Sequence, residues 1–183
     1  EASTRSVCRA LGLEFAEIED WNCCGSTPAH AMDTVLSGAL AARNFRQVAR
    51  TGAEGVVTPC PSCLANLKLA RHRMQDASFK VDALLDAPTV ENAAELPETY
   101  SVLQIILEQI GPEAIKSRVT RPLESVKIAT YYGCLMSRPA DVMRFDDPEN
   151  PTAMDKIMEA LGAEVVPFPL KTECCGAAMG VAR

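Results

Sequence analysis

The alternation of apolar and polar residues predicts helices and strands that follow one another in turn. Helical periodicity is found in five segments, which run from Ser3 or Thr4 to Leu11 and over residues 35–51, 64–74, 99–111 and 152–162. Alternation or short apolar runs predict four strands, at residues 13–18, 55–59, 127–132 and 163–168. Such an order is typical of an α/β fold with mostly parallel strands flanked by helices.

Glycine, proline and asparagine mark the predicted ends of several helices. Gly12 and Gly52 each follow an apolar-periodic segment, where a residue in the left-handed region commonly closes a helix. Asn150 and Pro151 are suitable N-cap and N1 residues for the helix at 152–162.

The sequence contains an internal repeat. The segments VCRALGLEFAEIEDWNCCG and IMEALGAEVVPFPLKTECCG share a helix, Ala-Leu-Gly, a predicted strand, a loop and CCG. This predicts two similar modules, 1–115 and 116–183, divided within the polar stretch after Gly111. Only the second copy has a lone cysteine far upstream of its CC pair, with 39 residues between Cys134 and Cys174, and only the first has a CxxC after its pair. We therefore expect the shared pattern to be C…CC…CxxC and both modules to be truncated in this chain.

Composition and charge exclude several classes of protein. With 48% apolar and 23% charged residues, the chain resembles an ordinary soluble globular protein. A net charge of −6 and the lack of a Lys/Arg cluster argue against nucleic acid as a partner. No apolar stretch is long enough to span a bilayer, so no membrane role is expected. Eight cysteines without a secretory signal favour a reducing compartment, and we expect a cytoplasmic protein.

The spacing of the cysteines favours binding of an external group. Adjacent cysteines are poorly placed to form a disulfide with each other, yet the chain has two such pairs. A CxxC at a strand-to-helix turn can place two sulfurs on one metal, where the helix N-terminus favours thiolates. A CC pair offers two more sulfurs and a lone cysteine a fifth, which suits an enlarged or irregular iron–sulfur cluster.

The segments DWNCCG, TPCPSC, YYGC and KTECCG resemble the CCG-type cysteine-rich modules of the heterodisulfide reductase B subunit. The resemblance covers nearly the whole chain. It implies two similar α/β domains, each holding a non-cubane [4Fe–4S] cluster through five cysteines. It further implies cleavage of the disulfide between two thiol coenzymes in one-electron steps, with a substrate sulfur binding iron. The implied partners are a ferredoxin-like C subunit and a flavin-containing A subunit.

The resemblance also assigns ligands. Four cysteines match ligands of the first cluster: Cys23, Cys24, Cys60 and Cys63. Three match ligands of the second: Cys134, Cys174 and Cys175. Cys8 matches no ligand, and its place on the apolar side of a helix predicts a small buried residue.

Two alternatives remain open from the residues alone. A strand, C-P-x-C and a helix are also the signature of a metal-free thioredoxin-like oxidoreductase that would use Cys60 and Cys63. Four thiolates could instead bind zinc in a non-catalytic assembly module, or this chain could hold no metal. Neither alternative accounts as well for both CCG motifs together with Cys134.

Overall fold

A computed structural model describes residues 2–26, 28–76, 78–81 and 95–177. Its helices are α1 (Ala2–Leu11), α2 (Pro28–Met32), α3 (Thr34–Thr51), α4 (Pro61–Arg73), α5 (Val102–Ile105, continuing as a π-helix over Ile106–Ile110), α6 (Pro112–Arg118), α7 (Ala140–Met143) and α8 (Ala153–Ala160). Its strands are β1 (Gly55–Thr58), β2 (Glu98–Ser101), β3 (Lys127–Ile128) and β4 (Glu164–Val165). β1 pairs with β2, and β3 pairs in parallel with β4. Short paired strands flanked by helices confirm the α/β fold class.

The chain forms two compact units. The first unit is Ala16–Tyr100 with residues 176 and 177, and the second is residues 2–15 with Ser101–Cys175. The predicted modules, 1–115 and 116–183, divide the chain at different points. α1 begins the first copy of the repeat, yet it belongs to the second unit. The module boundary therefore stays a prediction about the repeat in the sequence.

The core of the first unit lies between α3 and α4. Phe45 and Ala41 of α3 have no exposed surface, and they pack with Leu67 and Ala70 of α4. Burial of such apolar surface is the main favourable term in folding. Cys24 belongs to the same buried cluster, so the packing of the core extends to the first cysteine pair.

Both ends of α3 follow from local sequence. The Asp33 carboxylate accepts hydrogen bonds from the backbone N–H groups of Val35 and Leu36, which have no partner within the helix. Gly52 adopts the left-handed conformation at φ 71°, and its N–H donates to Ala49. The predicted helix end at Gly52 is confirmed.

The second unit contains the parallel pair β3 and β4, with Lys127 beside Glu164 and Ile128 beside Val165. α8 packs against α6 and against β4. This arrangement of strand pair and covering helix holds the loops that carry the second set of cysteines.

The Ala-Leu-Gly segments of the two repeats end their helices in the same way. Gly12 and Gly162 both lie in the left-handed region, at φ 74° and 90°. Equivalent hydrogen bonds close the two helices: Gly12 N–H to Arg9 and Leu13 N–H to Cys8 at α1, and Gly162 N–H to Glu159 and Ala163 N–H to Met158 at α8. This is the Schellman arrangement, in which a glycine lets the chain reverse and satisfies the last carbonyls. The repeat in sequence is thus a repeat in local structure.

The strand prediction at 13–18 is wrong. Leu13 is buried, but Phe15 is 41% exposed, and the segment is irregular. Alternation by itself does not make a strand when no neighbouring strand satisfies its backbone. The prediction at 55–59 is confirmed by β1.

The predicted strands at 127–132 and 163–168 shrink to two residues each. Pro167 has no N–H to donate, which limits β4 on its far side. Tyr132 leaves the strand direction, and its N–H donates instead to the Lys171 carbonyl at 2.8 Å. These contacts bring the loop after β3 to the loop before the second CC pair.

Two helices begin at residues other than those predicted. The segment 99–111 begins as strand β2, and the Ser101 side chain then caps α5 by accepting from Gln104 N–H at 2.9 Å. The first helix starts at Ala2, before the predicted caps Ser3 and Thr4.

The predicted N-cap of the last helix is also wrong. α8 begins at Ala153, and the free N–H groups of Thr152 and Ala153 donate to the Asp146 carboxylate rather than to Asn150. A carboxylate from an adjacent turn replaces the local cap, which sequence spacing alone does not reveal.

Candidate functional site

The two cysteine motifs of the first unit converge. The Sγ atom of Cys24, in the CCG loop, lies 3.2 Å from the Sγ atom of Cys63, in the first turn of α4. Cys60 is the N-cap residue of α4, and Cys23 and Cys60 are exposed. The adjacent Cys23 and Cys24 therefore lie in different environments, one at the surface and one in the core.

The Cys60 thiol at the start of α4 is not used to cap the helix. Pro61 occupies the first turn, where its missing N–H costs no hydrogen bond. The Cys60 side chain makes no capping hydrogen bond, while its backbone N–H donates to Thr58 Oγ1 at 3.2 Å. The positive end of the helix dipole favours a negative charge at this position.

A hydrogen bond links the buried Cys24 thiol to the half-buried Cys63 thiol. The hydrogen bond with Cys63 is the largest influence that lowers the pKa of Cys24 to about 6, against the opposing effect of burial. The same hydrogen bond, followed by burial and by the charges of Cys24 and Cys60, raises the pKa of Cys63. These opposite shifts favour the charged form at Cys24 over the charged form at Cys63. A thioredoxin-like use of the CxxC needs a lowered pKa at Cys60 or Cys63, and the shift at Cys63 is in the opposite direction.

The CCG loop is fixed to α3 by polar contacts. Asn22 and Asn44 form a reciprocal pair: Asn22 N–H donates to Asn44 Oδ1 and Asn44 Nδ2 donates to the Asn22 carbonyl, both at 2.9 Å. Asn22 Nδ2 also donates to the Leu40 carbonyl at 3.0 Å. Arg43 donates to the Asp20 carbonyl at 2.7 Å and pairs with its carboxylate. These contacts hold the CCG loop on α3.

The three predicted cysteines of the second unit also come together. Burial, followed by a hydrogen bond to Cys174 and the charges of Cys174 and Cys175, raises the pKa of Cys134. Tyr131 Oη donates to the carbonyl of Glu173 at 2.6 Å, which joins the YYGC loop to the residue before the CC pair.

Lys171 anchors these two loops. Its carbonyl accepts from the N–H groups of Tyr132 and Gly133, at 2.8 and 3.0 Å. Its ammonium group pairs with Asp155 of α8 at 3.1 Å and lies 5.8 Å from the centre of the Tyr132 ring. Asp155 also accepts from the Thr130 hydroxyl. A single network therefore connects α8 with both cysteine loops of this unit.

The cysteine side chains of the first unit are of a type that binds metals or iron–sulfur clusters. The Cys24 and Cys63 sulfurs, however, lie at a hydrogen-bond distance from each other. Within the described ranges, no three cysteine, histidine or carboxylate side chains are arranged to hold a metal ion. Two thiolates on one tetrahedral zinc lie about 3.8 Å apart. The Cys24 and Cys63 sulfurs, at 3.2 Å, would have to separate on binding. Cysteine sulfur is the usual ligand of iron–sulfur clusters.

Other residues show what the sequence indicated and what it did not. Cys8 is 3% exposed in α1, which confirms a small buried side chain, and burial raises its pKa. The buried polar residues Ser37, Asn44 and Asn66 were not predicted. The sequence does mark them: Ser37 and Asn44 are polar residues among the apolar positions of α3, and Asn66 lies one turn beyond Cys63 in α4.

None of the described helices combines the length and apolar character needed to cross a bilayer.

Comparison with known proteins places both motif sets in one family. The CCG cysteine-rich domain family matches residues 1–68 and 128–183, which contain all seven cysteines assigned above. The chain is 32% identical over 175 residues to the 8-methylmenaquinol:fumarate reductase membrane anchor subunit of Wolinella succinogenes, covering 95% of this chain and 60% of that protein.

Two further relatives are named after heterodisulfide reductase. A protein of Archaeoglobus profundus, named as similar to the heterodisulfide reductase B subunit, is 31% identical over 191 residues, covering 100% of this chain and 62% of that protein. The B subunit of the Ferredoxin/F(420)H(2)-dependent CoB-CoM heterodisulfide reductase of Methanosarcina acetivorans is 28% identical over 189 residues, covering 99% and 61%. The chain thus spans less than two thirds of these relatives. The resemblance seen in the motifs is confirmed: the chain belongs to the CCG cysteine-rich domain family.

Proposed function

We propose that this chain is part of an iron–sulfur subunit that passes electrons within a heterodisulfide reductase-like complex. One observation carries the proposal: the CCG loop and the CxxC helix bring Cys24 and Cys63, 39 positions apart, to a sulfur–sulfur distance of 3.2 Å. Membership of the CCG family supports it, as do relatives named as B subunits of such reductases.

In this proposal the cysteines of each unit hold one non-cubane [4Fe–4S] cluster. Cys23, Cys24, Cys60 and Cys63 would bind the first, and Cys134, Cys174 and Cys175 would contribute to the second. Such a cluster supplies single electrons for cleaving a disulfide. The residues of this chain position the thiolates: α3 holds the CCG loop, and Lys171 holds the two loops of the second unit.

The proposed setting follows from the same comparison. Relatives named as B subunits imply companion subunits, and we propose a ferredoxin-like C subunit and a flavin-containing A subunit as the electron donors. A reducing cytoplasm would keep the thiols free to bind iron. The proposed substrate is a disulfide between two thiol coenzymes.

Anaerobic reconstitution of the full-length protein with iron and sulfide tests the proposal. Two four-iron clusters predict about eight irons per polypeptide. Cys24→Ser should remove about half of this iron, since one of the two thiolate sets loses a ligand. Cys8→Ser is the matched control and should retain all of it, because Cys8 is buried in α1 as an apolar residue. A colourless protein, or one that binds a single zinc and no iron, would contradict the proposal.

A second candidate is electron transfer in a quinol:fumarate reductase, since a relative of that name is 32% identical to this chain. Rapid mixing distinguishes the two. The reduced, cluster-loaded protein should be reoxidised by a heterodisulfide in one-electron steps if the first candidate is correct. Iron-containing protein that a heterodisulfide does not reoxidise would favour the second.

A further inference from the structure

A buried amide joins the CCG loop to the helix that carries the CxxC. Asn66 lies on α4, one turn beyond Cys63, and is 8% exposed. Its Nδ2 group donates a hydrogen bond of 2.5 Å to the backbone carbonyl of Cys24. This hydrogen bond therefore links the backbone of Cys24 to α4, the helix that carries Cys63.

A buried hydroxyl sets the orientation of that amide. Ser37 of α3 is 1% exposed, and its Oγ lies 3.1 Å from Asn66 Oδ1 and 3.1 Å from the carbonyl of Gly25. The Cys24 carbonyl can only accept, so the NH₂ end of Asn66 faces it and Oδ1 faces the Ser37 hydroxyl, whose single proton has Oδ1 and the Gly25 carbonyl as its two acceptors. The CCG loop, α3 and α4 thus meet in one continuous hydrogen-bond network.

The loop approaches α3 too closely for a side chain. Gly25 has φ +87°, and a β-carbon there would lie 2.8 Å from the Ser37 carbonyl oxygen. The glycine of the CCG motif is therefore required on two grounds, its backbone conformation and this contact. This contact places the Gly25 carbonyl within reach of the Ser37 hydroxyl and the Cys24 carbonyl within reach of Asn66.

We propose that Asn66 is a positioning residue for the first thiol group. Its amide, oriented by Ser37, holds Cys24 beside Cys63 before any metal binds. The functional meaning of this role rests on the proposed cluster site, while its geometry can be tested without metal. Buried polar groups in such a network have no water to replace a lost partner, so loss of the Asn66 donor should release the Cys24 backbone.

The test is the rate at which Cys24 and Cys63 form a disulfide in the metal-free chain. Cys23→Ser and Cys60→Ser leave this pair alone in the first thiol group. With oxidised glutathione as oxidant, the two thiols lose two electrons and two protons, one S–S bond forms, and two molecules of reduced glutathione are released. Mass spectrometry of the linked peptides measures the rate.

Asn66→Ala and Asn66→Asp should each slow this closure about tenfold, because small losses of position strongly reduce intramolecular rates. Aspartate keeps the shape of asparagine but has no N–H to donate. Gln104→Ala is the matched control, since Gln104 is an equally buried amide (8% exposed) in the second unit. It should leave the rate unchanged.

Thermal unfolding separates a positioning role from a structural one. Slow closure in Asn66 variants that remain folded supports the proposal, and closure within about twofold of the parent in folded variants overturns it. If the Asn66 variants do not fold, Ser37→Ala decides, since it removes only the hydroxyl that orients the amide. An unchanged rate in Ser37→Ala then overturns the proposal. Because the assay uses no iron, its failure is distinct from a failure of reconstitution.

Discussion

The pairing of Cys24 with Cys63 shows how two motifs act on one chemical group. One thiol is held in the core of the first unit and the other at the start of a helix, and a hydrogen bond joins them. Their opposite pKa shifts arise from that contact more than from burial. The thiolate, which the Cys24 shift favours, is the form of cysteine that binds metals.

This contact predicts a pH dependence for the metal-free chain. Because the pKa of Cys24 is lowered from an ordinary value of 9.0 to about 6, its ionisation stabilises the fold fully above pH 9.0 and not below about pH 6. The free energy of unfolding should therefore fall as the pH is lowered through this window. The raised pKa of Cys63 has its own effect only above the ordinary thiol value.

Ultraviolet titration of the thiolates measures this directly. One thiol should titrate near pH 6 in the parent chain and in Cys8→Ser. In Cys63→Ala this step should move up to or beyond the ordinary thiol value, because burial remains and the hydrogen-bond partner is gone. A titration in which every thiol keeps its ordinary pKa would contradict the assigned contact.

The cysteines of the site are predictable from the sequence, but the residues that hold them are not. The CC and CxxC spacings are readable because they repeat and because few chemistries need them. Asn66 and Ser37 lie inside helices, where a polar residue more often faces solvent. Their burial depends on α3, α4 and the CCG loop meeting, which one helix's periodicity does not encode.

At the scale of elements, the loops of the second unit depend on α8. The side chains of Lys171 and Asp155 are only 13% and 17% exposed. If either residue were removed, the other would therefore remain as a largely buried charge without its partner. The helix thereby links the YYGC loop to the segment before Cys174. The start of α8 likewise depends on a side chain from outside the helix, since the Asp146 carboxylate accepts from the Ala153 N–H group.

Asp155→Ala should therefore destabilise the chain by about 2 kcal/mol, less than loss of a partner in a fully buried pair because some solvent reaches both groups. Glu164→Ala is the matched control. Its pair with Lys127 is 59% and 69% exposed, so its loss should cost less than about 1 kcal/mol. Urea unfolding measures both changes. Equal effects of the two substitutions would show that the Lys171 network does not support the unit.

At the scale of the whole molecule, the repeat was predictable and the grouping of its parts was not. Both CCG glycines lie in the left-handed region, Gly25 at φ 87° and Gly176 at φ 78°, and both Ala-Leu-Gly segments close a helix identically. These features are local and follow from glycine. The assignment of α1 to the second unit depends on contacts far along the chain, which repeat matching cannot anticipate.

In the proposed site, the CCG and CxxC motifs of the first unit bind the same iron-containing group. Diffraction at the iron absorption edge from crystals of the reconstituted full-length protein tests it most directly. We expect anomalous iron density bonded to the sulfurs of both Cys24 and Cys63, with Asn66 beside the Cys24 carbonyl. Iron bound by cysteines of a single motif, or a first unit whose ordered cysteines bind no iron, would contradict it.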